Sequence, residues 1–186
     1  MPKGVIMSDR YESTHSVNHE STETTTILDS GGERHQFASG SVRDIQEGKG
    51  RCDLLPLWEV ADIFNINYMY LLAAFVECGT IVDLKRAIRE FSIRHFGDFQ
   101  TAILEVSIHF EEGCKKYGED NWRKGIPTSS YLNSAVRHAL KHERGDKDER
   151  HDRAFLWNLL CMWWTIRNKP DLNDLQYAKE AMNDLD

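Results

Sequence analysis

From Leu57 onwards, apolar residues return at every third or fourth position and seldom alternate, a period that commits most of this chain to helices. Leu57 to Phe64, Asn67 to Cys78 and Ile81 to about Arg94 each read as a helix. A longer helix is expected from about Phe99 to Tyr117, where Ile103, Val106, Phe110 and Cys114 form one apolar stripe. The connection GEDNWRKGIPTSS is rich in helix-breaking residues, and Thr128 or Ser129 then caps a helix running to about Glu143. The charged turn ERGDKDER leads into the most apolar helix, about Glu149 to Arg167, which contains AFLWNLLCMWW. Beyond Pro170, a short amphipathic helix from Leu172 to Met182 closes the chain. No βαβ pattern occurs, so the expected fold class is all-α.

Residues 1–38 are polar and show no periodicity, so they bury too little surface to offset ordering entropy and read as a flexible tail. An edge strand around Thr24, Thr25 and Thr26 is the alternative. Residues 39–186 are expected to form one domain, within the size range of a single core. Its start, SGSVRDIQEGKGRCDLLP, interleaves Gly40, Gly48 and Gly50 with Arg43, Lys49 and Arg51, which predicts an ordered glycine-rich basic loop before the first helix.

A formal net charge of −7 excludes broad attraction to nucleic-acid polymers or an acidic membrane, while leaving room for a small anion bound by local cations or a bridging metal. The four cysteines form no CxxC pair and read as reduced thiols. No membrane span or signal segment is evident, so a cytoplasmic location is expected.

Three constellations can carry chemistry. Glu105, His109 and Glu112 share one face of the long helix, with Glu111 adjacent; such carboxylates suit a hard cation, and a solvated face is the alternative. His138 and His142 lie one turn apart and precede Glu149 and Asp152. The two acids read either as helix-capping charges or as ligands, His138 as a satisfied core histidine or a site residue, and His142 as surface. The third is the cationic loop of Arg43, Lys49 and Arg51, joined by Lys116, Arg123 and Lys124, which suits phosphate oxygens. Tyr117 and Trp122 beside it can stack a base or pack into the core.

The blocks GSVRDIQEGKGRCDLLP, HFEEGCKKYGEDNWRKGIP, YLNSAVRHALKH and FLWNLLCM, in that order over about residues 40–162, resemble a phage-rich family of dATP/dGTP diphosphohydrolase N-terminal domains. That family looks related to the MazG-like all-α pyrophosphohydrolases, including the MazZ enzymes. The resemblance implies a helical bundle in which EExxE and ExxD motifs hold Mg²⁺ or Mn²⁺ while water attacks the α-phosphorus and pyrophosphate leaves. Glu111 and Glu112 resemble the first pair, Lys115 stands where the third acid falls, and Glu149 and Asp152 fit ExxD.

On this reading Glu105, Glu112, Glu149 and Asp152 are the metal ligands, and Glu111, Glu112 and His138 the catalytic groups. Arg43, Lys49, Arg51, Lys116, Tyr117, Asn121, Trp122 and Lys124 contact a purine deoxynucleoside triphosphate. The resemblance also implies a homo-oligomer, dimer or tetramer, to which the Trp-rich helix can contribute. Residues 65–97 fall outside the resemblance and read as an inserted helical segment. The other function classes are a non-hydrolytic nucleotide-binding protein and an interaction module presenting CMWW.

Overall fold

The apolar period resolves into six α-helices in a computed structural model, which describes residues 25–29 and 32–175. They are α1 (Leu57–Phe64), α2 (Asn67–Cys78), α3 (Ile81–Phe96), α4 (Phe99–Tyr117), α5 (Thr128–Arg144) and α6 (His151–Asn168). Local chemistry sets several boundaries. Asn65 adopts a left-handed conformation that ends α1, and Asp98 caps α4 by accepting a hydrogen bond from the Thr101 amide at 2.7 Å. Helix α6 starts at His151, so Glu149 and Arg150 belong to the preceding connection and Asp152 to the first turn.

The AFLWNLLCMWW helix is central, packing against α3, α4 and α5, while α2 joins α1 to α3. Phe155, Leu156, Leu159, Met162 and Ile166 are buried along it, each contributing roughly 1.5–3 kcal/mol of burial. The ring of Phe155 meets Phe91 at 4.3 Å between centroids, and Phe91 meets Tyr68 at 4.9 Å. Residues 65–97 therefore supply α2 and α3 to the same core. Most of the Trp-rich helix is thus committed to the core, while its Trp157, Trp163 and Trp164 are only partly buried.

Before α1 lies a three-stranded antiparallel sheet: β1 (Thr25–Asp29), β2 (Gly32–Gln36) and β3 (Val42–Asp44). Thr26 pairs with His35, and His35 with Arg43. Thr25–Asp29 and Gly32–Gln36 thus form strands where a tail was expected, their backbone groups satisfied across the ladder; residues 1–24 and 30–31 lie outside the described residues. At the other end, a 3-10 turn at Pro170–Leu172 and irregular backbone to Leu175 replace the start of the expected Leu172–Met182 helix, whose remainder lies outside the described residues.

Two close approaches tie the sheet to the bundle. Asn121 clamps β3, its Oδ1 accepting from the Val42 amide and its Nδ2 donating to the Val42 carbonyl, both at 2.9 Å. The hydroxyl of Ser41 donates to the Gly125 carbonyl at 2.7 Å. Gly125 has φ +90°, and a Cβ there would meet Leu172 Cδ1 at 2.5 Å, so only glycine fits.

Candidate functional site

The basic loop is ordered by α5. Arg137 donates from Nε to the Lys49 carbonyl (3.1 Å) and from Nη2 to the Gly50 carbonyl (3.3 Å). Asn133 accepts from the Cys52 amide (2.8 Å) and donates to Gln46 (2.7 Å), while Gln46 donates to Ser134 (3.0 Å). Gly48 and Gly50 take φ of +74° and +84°, which lets the loop fold back over the helix. The polar stripe Asn133, Ser134, Arg137, His138 and Lys141, at four-residue spacing, is thus the face of α5 turned to the loop.

Arg43 is fixed at the centre. Its guanidinium donates to Asn158 Oδ1 (2.5 Å) and the Ser130 carbonyl (3.2 Å), and lies 5.4 Å from the Tyr131 ring centroid. Burial draws its pKa down, but a guanidinium remains cationic at neutral pH. Two cavities meet at this residue. One, of about 890 Å³, is lined by His35, Phe37, Arg51, Ser129 and Asn133 among others. The second, of about 580 Å³, lies between the loop, α4, α5 and the connection before α6.

The second cavity holds the richer chemistry. Its cations are Arg43, Lys49, Lys116, Arg137, Lys141 and Arg150, and its carboxylates are Asp44, Glu112, Asp148 and Glu149. Six cations against four acids, in a chain of net charge −7, make this concavity locally suited to an anion. Lys116 Nζ donates to Asp44 at 2.5 Å and Lys141 Nζ to Asp148 at 2.7 Å, whereas Lys49 is exposed beside them.

Two carboxylates face the cavity with histidines as their ion-pair neighbours. Glu112 Oε2 lies 3.5 Å from His109 Nδ1, and Glu149 Oε1 lies 4.0 Å from His138 Nε2. Burial lowers the His109 pKa, opposed by the nearby charges of Glu149 and Glu112, so both acids act on this one imidazole from neighbouring elements. Burial, then His151, pushes His138 down to about 3, so it is neutral at pH 7. His138 Nδ1 lies 3.0 Å from His151 Nδ1, and His151 Nε2 lies 2.8 Å from Asp148 Oδ1.

Other expected ligands are engaged elsewhere. Asp152 is buried and accepts from Arg150 Nε (3.0 Å) and Nη2 (2.7 Å) and from the Arg153 amide (2.9 Å). Burial works to raise its pKa, but these donors leave it lowered. Glu105 accepts from Arg153 Nε at 2.8 Å and pairs with Arg150 at 3.4 Å. Neither residue lines the cavity. Glu111 is exposed, off the cavity, and paired with Lys115 at 2.5 Å.

Among the expected substrate contacts, Arg43, Lys49, Lys116 and Tyr117 line the second cavity, and Arg51 the first, where it pairs with Asp53. Asn121 reaches the second cavity, but both ends of its amide are committed to Val42. Trp122 packs edge-on against Phe110 (5.4 Å) and Trp164 (5.2 Å) and does not line either cavity. Lys124 is exposed away from both. The sequence reading passed over Arg137, Lys141, Asp148 and His151; the polar four-residue spacing on α5 was the available signal for the first two.

Among the described residues, no helix is long and apolar enough to cross a membrane. No curated protein and no solved structure matches the chain. The family model described as dATP/dGTP diphosphohydrolase, N-terminal, matches residues 86–175, from within α3 to the last described residue. That stretch supplies α4, α5, α6 and every residue of the second cavity except those of β3 and its loop. The match takes in residues 86–97, expected to lie outside the resemblance, and does not reach the block at about residues 40–56; over residues 86–175 the chain is thus similar to the dATP/dGTP diphosphohydrolase N-terminal family, which its other three blocks resemble.

Proposed function

We propose that this protein hydrolyses a purine deoxynucleoside triphosphate, dATP or dGTP, to the monophosphate and pyrophosphate with a divalent metal, and that it remodels the nucleotide pool during phage infection. The observation that carries this reading is the second cavity, in which Glu112 and Glu149 oppose Arg43, Lys49, Lys116 and Arg137. Its mixture of cations and carboxylates suits a phosphate group together with a hard cation.

Glu112 and Glu149 would supply carboxylate oxygens of the kind Mg²⁺ or Mn²⁺ takes. Neither is paired with a Lys or Arg in the way that Glu105, Asp152 and Glu111 are. When bound, the ion neutralises phosphate charge and polarises a water. Glu112, with His109 3.5 Å away, would help to hold the ion or take a proton from the attacking water. Arg43, immobilised by Asn158 and the Ser130 carbonyl, stabilises the charge that builds on the departing pyrophosphate, while Arg137, braced on the loop, helps to bind the phosphates. His138 positions Glu149.

The test is incubation of the chain with each purine deoxynucleoside triphosphate and Mg²⁺ or Mn²⁺. Pyrophosphate and monophosphate release, lost in Glu112→Gln, is the expected outcome. Absence of turnover with every substrate and ion overturns the reading. Tight binding with unchanged nucleotide instead favours the non-hydrolytic reading, which the Lys115–Glu111 pair supports by removing one acid from the EExxE set.

The expected homo-oligomer has its best support in α4, where Phe99, Ile103, Leu104 and Ile108 are exposed; light scattering of the purified chain tests it.

A further inference from the structure

We propose that His138 and His151, with Glu149 beside them, form a binding site for a borderline transition ion such as Zn²⁺ or Co²⁺ at one end of the second cavity. One donor atom from each of the three residues lies within 4.8 Å of the others. The inference shares Glu149 with the hydrolase reading but rests on the two imidazoles, which that reading does not use as metal ligands.

The convergence of these three donor atoms carries the argument, and the proton count of two neutral rings agrees with it. A neutral imidazole has one N–H and one lone pair. The two rings meet Nδ1 to Nδ1 at 3.0 Å, and their far nitrogens both face carboxylates: His151 Nε2 to Asp148 at 2.8 Å, and His138 Nε2 to Glu149 at 4.0 Å. If His151 donates to Asp148, the central contact needs its proton on His138 Nδ1, and a bare lone pair then faces the Glu149 carboxylate. If His138 carries its proton on Nε2 instead, two lone pairs collide at the centre. A cation taking both Nδ1 lone pairs removes the conflict, because His151 Nε2–H then donates to Asp148 and His138 Nε2–H is turned towards the Glu149 carboxylate 4.0 Å away. That is how metal-binding histidines are generally oriented.

The dimensions agree. Two nitrogens at about 2.0–2.1 Å from a tetrahedral ion lie about 3.3 Å apart, so the 3.0 Å contact opens only slightly on binding. Imidazole donors select zinc, cobalt or copper over magnesium or calcium. His151 is buried and fixed in the first turn of α6, whereas His138 and Glu149 line the cavity, so remaining coordination positions open towards water or a phosphate oxygen. The neighbouring trio Asp146, Asp148 and His151 is less suited, as Arg144 and Lys141 already neutralise its acids.

The test uses the full chain stripped with EDTA and titrated with Co²⁺ while visible d–d bands are followed, then displaced with Zn²⁺. The expected result is stoichiometric uptake with nitrogen-ligated bands. Affinity should fall by more than about 100-fold in His138→Ala, and by about 10- to 100-fold in Asp148→Asn, which alters an exposed side chain that orients His151 and pairs with Lys141. Glu112→Gln should leave the bands unchanged. Wild-type chain that takes up no cobalt, or His138→Ala that takes it up as well as wild type, overturns the site. Cobalt bands without nucleotide hydrolysis sink the hydrolase reading alone; Mg²⁺-dependent hydrolysis without cobalt bands sinks this site alone.

Discussion

Two pairs of carboxylates sit within the same helical neighbourhood and have opposite surroundings. Glu105 and Asp152 are gripped by Arg150 and Arg153, while among the described residues the basic side chains within 4.0 Å of Glu112 and Glu149 are imidazoles, at 3.5 and 4.0 Å. An arginine fork satisfies a carboxylate with two donors and leaves little charge for a cation to recruit. The first pair therefore works as a fastener between α4 and the start of α6, and the second keeps its lone pairs for a ligand. Spacing on the helices alone treats all four acids alike; their arginine partners separate them.

The contrast breaks most sharply under paired substitution. Glu112→Gln and Glu149→Gln are expected to reduce turnover by about 10²- to 10⁴-fold with the helical signal intact, as measured by pyrophosphate release and circular dichroism. Asp152→Asn should retain turnover at permissive temperature; a loss as large as that of Glu112→Gln would place Asp152 back among the ligands.

A smaller effect is expected for stability. Arg153→Met leaves Glu105 with the longer Arg150 contact, and denaturant unfolding should show a loss of about 1–3 kcal/mol. The same measurement on Glu112→Gln should move little, because that side chain is exposed. Equal losses in both would erase the distinction between fastener and ligand.

Smaller again is the phosphate side. Arg137→Ala removes one cation and the brace on Lys49 and Gly50, so KM should rise about tenfold, with a lesser change in kcat. A fall in kcat alone would assign Arg137 to the transition state instead.

The smallest effect is a reference taken from the core. Burial, followed by His142, lowers His95 from the ordinary 6.5 to about 4. Above pH 6.5 it is neutral folded or unfolded; below that the unfolded chain takes up a proton that the folded chain declines, so stability falls until about pH 4. His95→Phe should flatten the melting temperature across that window, whereas an unchanged slope would assign acid sensitivity to other groups.

Much of the helical architecture was legible because burial on one side of a helix leaves a local record. Leu57–Phe64, Asn67–Cys78 and Phe99–Tyr117 stand where the apolar spacing puts them. The strands left no comparable record: TTILD and GERHQ carry little apolar alternation, and they are held by pairing with each other and with β3. Trp122 and Asn121 show the same limit within the site. Residue type suggested a base platform and a polar contact, but Phe110 and Trp164 enclose the first and the Val42 backbone consumes the second.

By itself, the sequence determined a helical chain with a glycine-rich cationic loop and acid and histidine clusters on three segments, since periodicity, glycine freedom and charge are properties of short windows. The tertiary structure decided which groups meet. It joined Arg137 to the loop, set His138 against His151, and closed arginines over Glu105 and Asp152 while leaving Glu112 and Glu149 at the cavity. A side chain's chemistry depends on what neutralises it, and those partners are placed by packing between helices distant along the chain.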